Sequence, residues 1–194
     1  MKTQLTTLIG QYIQLEPIAL HHADGLRRAA NFENIWAYMP HQAHERFFAA
    51  WFDDCLAQHV TGKKLTYVIR QLTDQTIVGS RSYYDIDLQS KRLEIGYGWL
   101  TPTVWGTQLN HESLLLLFQQ AFEQWHFNRI QIGCDPRNMR SYNTLKKLGA
   151  KAEGILRQHM IHHHGEITDT ALFSILAHEW PAVKTTFIQR LYQK

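Results

Sequence analysis

The order of apolar and polar positions divides the chain into short alternating runs and longer stretches of helical spacing. "QYIQLEPI", residues 11–18, reads as a first strand closed by Pro17. "IALHHADGLRRAANFENIWAYM" (18–39) and "HERFFAAWFDDCLAQH" (44–59) carry helical spacing; in the second, Phe47, Trp51, Asp54/Cys55 and Leu56 form a mostly apolar stripe. "KLTYVIRQ" and "QTIVGSRSYYDID" read as strands around the turn "LTDQ". "RLEIGYGWL" (92–100) alternates sharply, with Leu93, Ile95, Tyr97 and Trp99 facing one way and Glu94, Gly96, Gly98 and Leu100 the other. A helix follows from about Leu109 to His126, with Leu114, Phe118, Phe122 and Trp125 as its buried stripe. "RIQIGC" is a strand, and "NMRSYNTLKKLG" is a helix ending at Gly149 as a C′ glycine. "KAEGILRQHMIHHHGEITDTALFSILAHEW" is a hairpin around "HHHG". Hairpin strands, then strand–helix–strand–helix, then another hairpin predict a mixed α/β sheet with a parallel pairing in its second half.

Two features point to a ligand. "WGTQLNHESLLLL", Trp105–Leu117, joins a glycine-bearing polar turn to an apolar helix. A helix N-terminus after such a turn offers free backbone N–H groups and the positive end of the helix dipole, which favour an anion. The strand feeding that turn carries Glu94, Gly96 and Gly98 on one face, leaving room for a close approach to its backbone. A β-bulge or a close helix contact would explain the glycines equally well.

Composition narrows the class. Length suits one domain, 1–194, without repeats, linkers or low-complexity segments. A net charge of +3 with no block of like charges gives no argument for nucleic acid, yet does not repel an anionic ligand. The longest apolar run, Leu114–Phe118, is far short of the roughly 20 residues that span a bilayer. With no signal peptide and two unpaired cysteines, Cys55 and Cys134, the chain reads as cytoplasmic with reduced thiols. Cys134 is expected to be a buried thiol rather than a nucleophile, because no His/Asp partner is legible beside it.

The segments "EIGYGWL", "WGTQLNHE", "DPRNMRSYNTLKKLGA", "EGILRQHMI" and "DTALFSILAHEWPAVK" together resemble the GNAT N-acetyltransferase superfamily, in its RimJ/RimL-like branch, over about residues 10–183. The resemblance implies the acyl-CoA N-acyltransferase fold: a mostly antiparallel sheet flanked by helices, with one parallel strand pair, 92–100 and 129–134, splayed into a cleft. It implies acetyl-CoA as donor and a primary amine as acceptor, either a protein N-terminal α-amine or a small molecule. Pantetheine is expected along the backbone around Trp99 and Leu100, and the pyrophosphate on the turn Trp105, Gly106, Thr107, Gln108, Leu109 and Asn110. Asn138 and Ser141 complete the expected cofactor-binding set.

Two departures from the family pattern bear on this. The loop pattern Q/R-x-x-G-x-G/A reads "WGTQLN", so Trp105 replaces the leading cation or amide, and Gln108 and Asn110 replace small residues. In the following helix the pattern N-x-x-A/S-x-x-x-Y-x-x-x-G maps onto Asn138, Ser141, Leu145 and Gly149, with Leu145 where the thiolate-protonating tyrosine would be. Ser141, with Tyr142 beside it, is the next candidate acid; a helix-start hydroxyl bonding to the backbone is the alternative. Glu94 is the expected base, direct or through water, against a purely structural carboxylate.

The run "HMIHHHG" invites a metal reading through His159, His162, His163 and His164. Neighbouring strand residues point to opposite faces, so consecutive histidines do not converge, and no metal is expected. Phe32, Trp36 and Tyr38 are read either as lining the acceptor end of the cleft or as plain core. Besides the enzyme, monomeric or homodimeric, two readings remain open: a non-catalytic acyl-CoA-binding module and an interaction domain without CoA.

Overall fold

The computed structural model describes residues 5–192; residues 1–4 and 193–194 of the expected domain lie outside the described residues. Its strands are β1 (Leu8–Ile9), β2 (Ile13–Pro17), β3 (Lys64–Gln71), β4 (Ile77–Asp87), β5 (Arg92–Leu100), β6 (Arg129–Cys134), β7 (Lys151–Ile161) and β8 (Ile167–Leu176). Its helices are α1 (Ala23–Ala30), α2 (Phe48–Thr61), α3 (Leu109–Gln119), α4 (Met139–Lys147) and α5 (Trp180–Tyr192). One sheet runs β1-β2-β3-β4-β5-β6-β8-β7, antiparallel throughout except for β5–β6. This is the mixed sheet that the element order predicts. No helix among the described residues is long and apolar enough to cross a membrane.

Two apolar layers cover the sheet. On one face Leu93 and Ile95 pack with Leu114 and Phe118 of α3 and Phe187 of α5. On the other, Leu26, Phe48, Trp51 and Cys55 of α1 and α2 pack on Val68 and Trp99. The stripe Leu114, Phe118, Phe122 and Trp125 is buried as read, although α3 gives way to a wider π-turn over Gln120–Gln124. Glu112 ties three elements together. Its buried carboxylate accepts the N–H groups of Gln11, Tyr12 and Ile13 at 2.7, 2.8 and 2.9 Å and the Tyr192 hydroxyl at 2.5 Å. Gly10 makes this possible, since a Cβ there would lie 2.5 Å from Glu112 Cδ.

Three readings change. The helix expected over 18–39 is only the eight residues of α1, with 3₁₀ turns at Leu20–His22 and Glu33–Trp36. Trp36 Nε1 donates to the Ala30 carbonyl at 3.1 Å, and Asn31 Oδ1 accepts the Glu45 N–H at 3.1 Å, so both groups serve the chain reversal rather than a continuing helix. The alternation of β5 breaks at Tyr97, which lies at φ +50. Ser80 faces Trp99 and Ser82 faces Gly96, so Tyr97 and Gly98 together oppose Arg81. That bulge swaps faces: Trp99 joins the α1/α2 layer, and Leu100 joins Leu93 and Ile95. The glycine pair is therefore split, Gly96 lying against the Tyr84 ring and Gly98 against the Arg81 guanidinium.

α4 ends at Gly149 as read. Gly149 adopts φ +91, its N–H bonds Lys146 O at 3.1 Å, and the Ala150 N–H bonds Leu145 O at 3.1 Å.

Candidate active site

β5 and β6 pair over Arg92–Arg129, Leu93–Ile130 and Glu94–Gln131, and then part. Beyond that point β5 follows β4 to Leu100, while β6 follows β8 to Cys134. Glu94 therefore stands where the two strands separate. Its carboxylate is half-buried and accepts the Tyr84 hydroxyl and a bond from Gln131. Burial pushes its carboxyl above the ordinary carboxylate range, against the Tyr84 bond, which pulls it down. Burial first, and then the Glu94 charge, hold the Tyr84 phenol far above its usual range, so it stays a donor. A carboxylate at a cleft whose pKa burial raises accepts a proton more readily than an ordinary one.

The turn before α3 supplies donors. Gly106 takes φ +79, a left-handed angle that suits glycine, with open space where a Cβ would stand. The Thr107 hydroxyl donates to Val104 O at 2.7 Å and receives the Leu109 N–H at 3.4 Å. The N–H groups of Gly106, Gln108, Asn110 and His111 find no protein acceptor among the described residues. Two cations flank them. The Arg140 guanidinium of α4 lies over the Trp105 ring, 3.9 Å from its centroid, and has no carboxylate partner among the described residues. Arg81, buried under the start of α3, donates to Asn110 Oδ1 at 2.7 Å while its Nε has no partner. Burial alone pulls its pKa down to about 10. Free N–H groups beside under-compensated cations fit a diphosphate.

The remaining expected residues are placed as follows. Trp99 is buried, with its indole Nε1 unpartnered, and Leu100 lends its carbonyl to the Trp105 Nε1–H at 2.8 Å. Asn138 caps α4 by accepting the Ser141 N–H at 3.1 Å. The Ser141 side chain meets the Cys134 thiol, which burial holds at about 11 and hence protonated. Leu145 is buried in the core, and the Tyr142 ring packs edge-on against Phe173. Glu94 and the turn residues thus lie at the two ends of β5, with Ser141 on the β6 side.

Trp36 is core, its ring tilted against those of Trp51 and Trp99, whereas Phe32 and Tyr38 are exposed. A cavity of about 440 Å³ beside Tyr97 is lined by His41, Trp51, Asp54 and Lys64. Burial, then the Lys64 charge, lower His41 to about 4, leaving a neutral imidazole with an unpartnered Nε2. The larger cavity, about 760 Å³, lies between α1 and the β3–β4 turn, away from Glu94. The turn after β7 does bring His162, His164 and Glu166 within 4.8 Å of one another, closer than strand alternation suggests. Glu166 is taken, however, by Arg137 at 2.6 and 3.1 Å. The sequence reading omits Tyr84, Arg81 and Arg140; only the odd Trp105 in the loop hints at the last.

Residues 13–151 match the Acetyltransferase (GNAT) domain family. The chain is similar to the uncharacterised N-acetyltransferase p20 of Bacillus licheniformis, 31% identical over 113 residues, which are 58% of this chain and 62% of p20. The match thus spans less than two thirds of that relative's length. It also resembles a GCN5-related N-acetyltransferase from Brucella melitensis, with 26% identity, TM-score 0.85, and 94% and 83% of the two chains covered. Mycobacterium smegmatis RimJ, solved with CoA-disulfide, shares the fold at 20% identity and TM-score 0.81 over 95% and 94% of the chains. With the strands parted at Glu94 and a family match over most of its length, the chain belongs to the GNAT acetyltransferase family.

Proposed function

We propose that the protein transfers an acetyl group from acetyl-CoA to a primary amine by direct attack, in the manner of the RimJ/RimL-like branch. The observation that carries this reading is the half-buried Glu94 carboxylate at the parting of β5 and β6. Glu94 takes the proton of the acceptor ammonium, directly or through a water, and the free amine attacks the thioester carbonyl. A backbone N–H near Trp99 or Leu100 stabilises the oxyanion. Collapse expels the CoA thiolate; Ser141 passes it a proton in place of the tyrosine absent at Leu145, and the proton shed by the acylated nitrogen restores the Ser141 hydroxyl. The pyrophosphate rests on Trp105–Asn110, helped by Arg140. The acceptor is a protein N-terminal α-amine or a small amine, and the protein works in the cytoplasm as a monomer or homodimer.

A second reading, an acyl-CoA-binding module without turnover, is favoured by one observation: the tyrosine position is a buried Leu145. Thiol release from acetyl-CoA with a panel of N-terminal peptides and small amines separates the two. Acceptor-dependent release supports the enzyme. Binding of acetyl-CoA without release for any acceptor supports the module.

A further inference from the structure

The polar groups around Glu94 continue across the sheet to its far edge, where the proposed chemistry gives them no part. β7 is irregular between Leu156, opposite Thr170, and Met160, opposite Thr168, so residues 157–159 face Asp169 alone. Gln158 sits at φ +51 and donates its N–H to Asp169 Oδ1 at 2.8 Å. Extra residues in one strand re-aim its side chains. Here the bulge sets His159 Nδ1 3.0 Å from Thr170 Oγ1. Thr170 and Glu94 in turn converge over Gly133: a Cβ on Gly133 would stand 2.9 Å from Thr170 Cγ2 and 3.2 Å from Glu94 Oε1. Any larger residue would wedge them apart. The row thus runs Tyr84, Glu94, Gly133, Thr170, His159 across β4, β5, β6, β8 and β7.

A buried carboxylic acid must lose its proton before the next turnover, and Glu94 is half-buried whereas His159 is exposed. We infer that His159 is the proton outlet of Glu94, taking through water the proton that Glu94 removes from the acceptor and releasing it to solvent. The inference rests on the reading of Glu94 as base. The ammonium proton passes to the Glu94 carboxylate, giving free amine and carboxylic acid. The acid proton passes to Nε2 of neutral His159, restoring the carboxylate, and the imidazolium loses a proton to bulk water. In the tautomer whose Nδ1–H donates to Thr170 Oγ1, Nε2 is bare and takes the proton. The charged and titratable groups facing Glu94 are Tyr84 and Asp85 from β4, Arg92 and Tyr97 from its own strand, and His159 from β7.

The test combines His159→Gln turnover with rescue by added imidazole. With acetyl-CoA and the best acceptor of the amine panel, His159→Gln should lower kcat on the order of 10-fold to 10²-fold. KM for the acceptor and acetyl-CoA binding should be unchanged, and millimolar imidazole should restore part of the rate. Thr170→Val should give a smaller loss in kcat. Melting curves confirm that each variant is folded. A His159→Gln enzyme with normal kcat, in a protein that Glu94→Gln disables, overturns the outlet while leaving Glu94 as base. A loss that imidazole does not relieve overturns it as well. Full activity in Glu94→Gln sinks both readings.

Discussion

Arg140 and Trp105 form a stacked pair, the guanidinium 3.9 Å from the ring centroid, with the indole fixed by its bond to Leu100 O at 2.8 Å. The family loop places a cationic or amide side chain where this chain has Trp105. Here an aromatic platform holds a cation from the next helix instead.

If that cation serves the cofactor's phosphates, Arg140→Ala should weaken acetyl-CoA binding about tenfold, or ~1.4 kcal/mol, with the loss shrinking as salt rises. Trp105→Phe keeps a ring under Arg140 and should lose less. Calorimetric titration of both variants checks this. Equal affinities for wild type and Arg140→Ala would place the phosphates elsewhere.

Glu112 predicts a stability effect remote from the cleft. Glu112→Gln loses the charge and gives an N–H₂ group to a site where three backbone N–H groups need an acceptor. The cost should be about 3 kcal/mol, a fall in melting midpoint of roughly 6–12 °C for a chain of this size. A shift under about 2 °C would mean that the β1–β2 turn is held by other contacts.

Buried histidine makes the fold acid-sensitive. His41 titrates near 4 when folded and near 6.5 when unfolded, so the unfolded chain binds the extra proton between those values. Stability is therefore lost as pH falls from about 6.5 towards 4. Glu16 works lower: its Arg70 bond holds it at about 2, so its contribution is lost only as pH falls from about 4.5 towards 2. Urea midpoints at pH 7 and pH 5 should differ less in His41→Phe than in the wild type, with His22, His59 and His111, also lowered by burial, leaving a residual slope. An unchanged pH difference would contradict a half-buried, neutral His41.

Much of this architecture is legible in the sequence, because each long element has a clean period. The α3 stripe and the β7–β8 hairpin can be read directly, and so can the C′ role of Gly149. The parallel pairing follows from a strand–helix–strand order. What a period-2 reading cannot contain is a bulge. Two of the irregular strands meet the site, β5 at Tyr97 and β7 at Gln158, and each puts an ordinary residue at positive φ. Tyr84 and His159 reach the neighbourhood of Glu94 through sheet register, which a linear pattern does not carry. The final helix, with Val183, Phe187 and Leu191 buried at a spacing of four, has a period, but the hairpin reading stops at Trp180.

Glu94 is the centre of the account, and its pH–rate profile tests it most directly. With acetyl-CoA and an active acceptor, the wild-type rate should rise along an acidic limb as the Glu94 carboxyl, raised by burial, ionises. Glu94→Gln should remain folded and bind acetyl-CoA normally. It should lose on the order of 10²–10⁴ in kcat and show that limb flattened or absent. Ser141→Ala should keep the limb and lose less. A folded Glu94→Gln enzyme that turns over at a near-normal rate with the acidic limb intact would contradict the account, and would make Glu94 a structural partner of Tyr84.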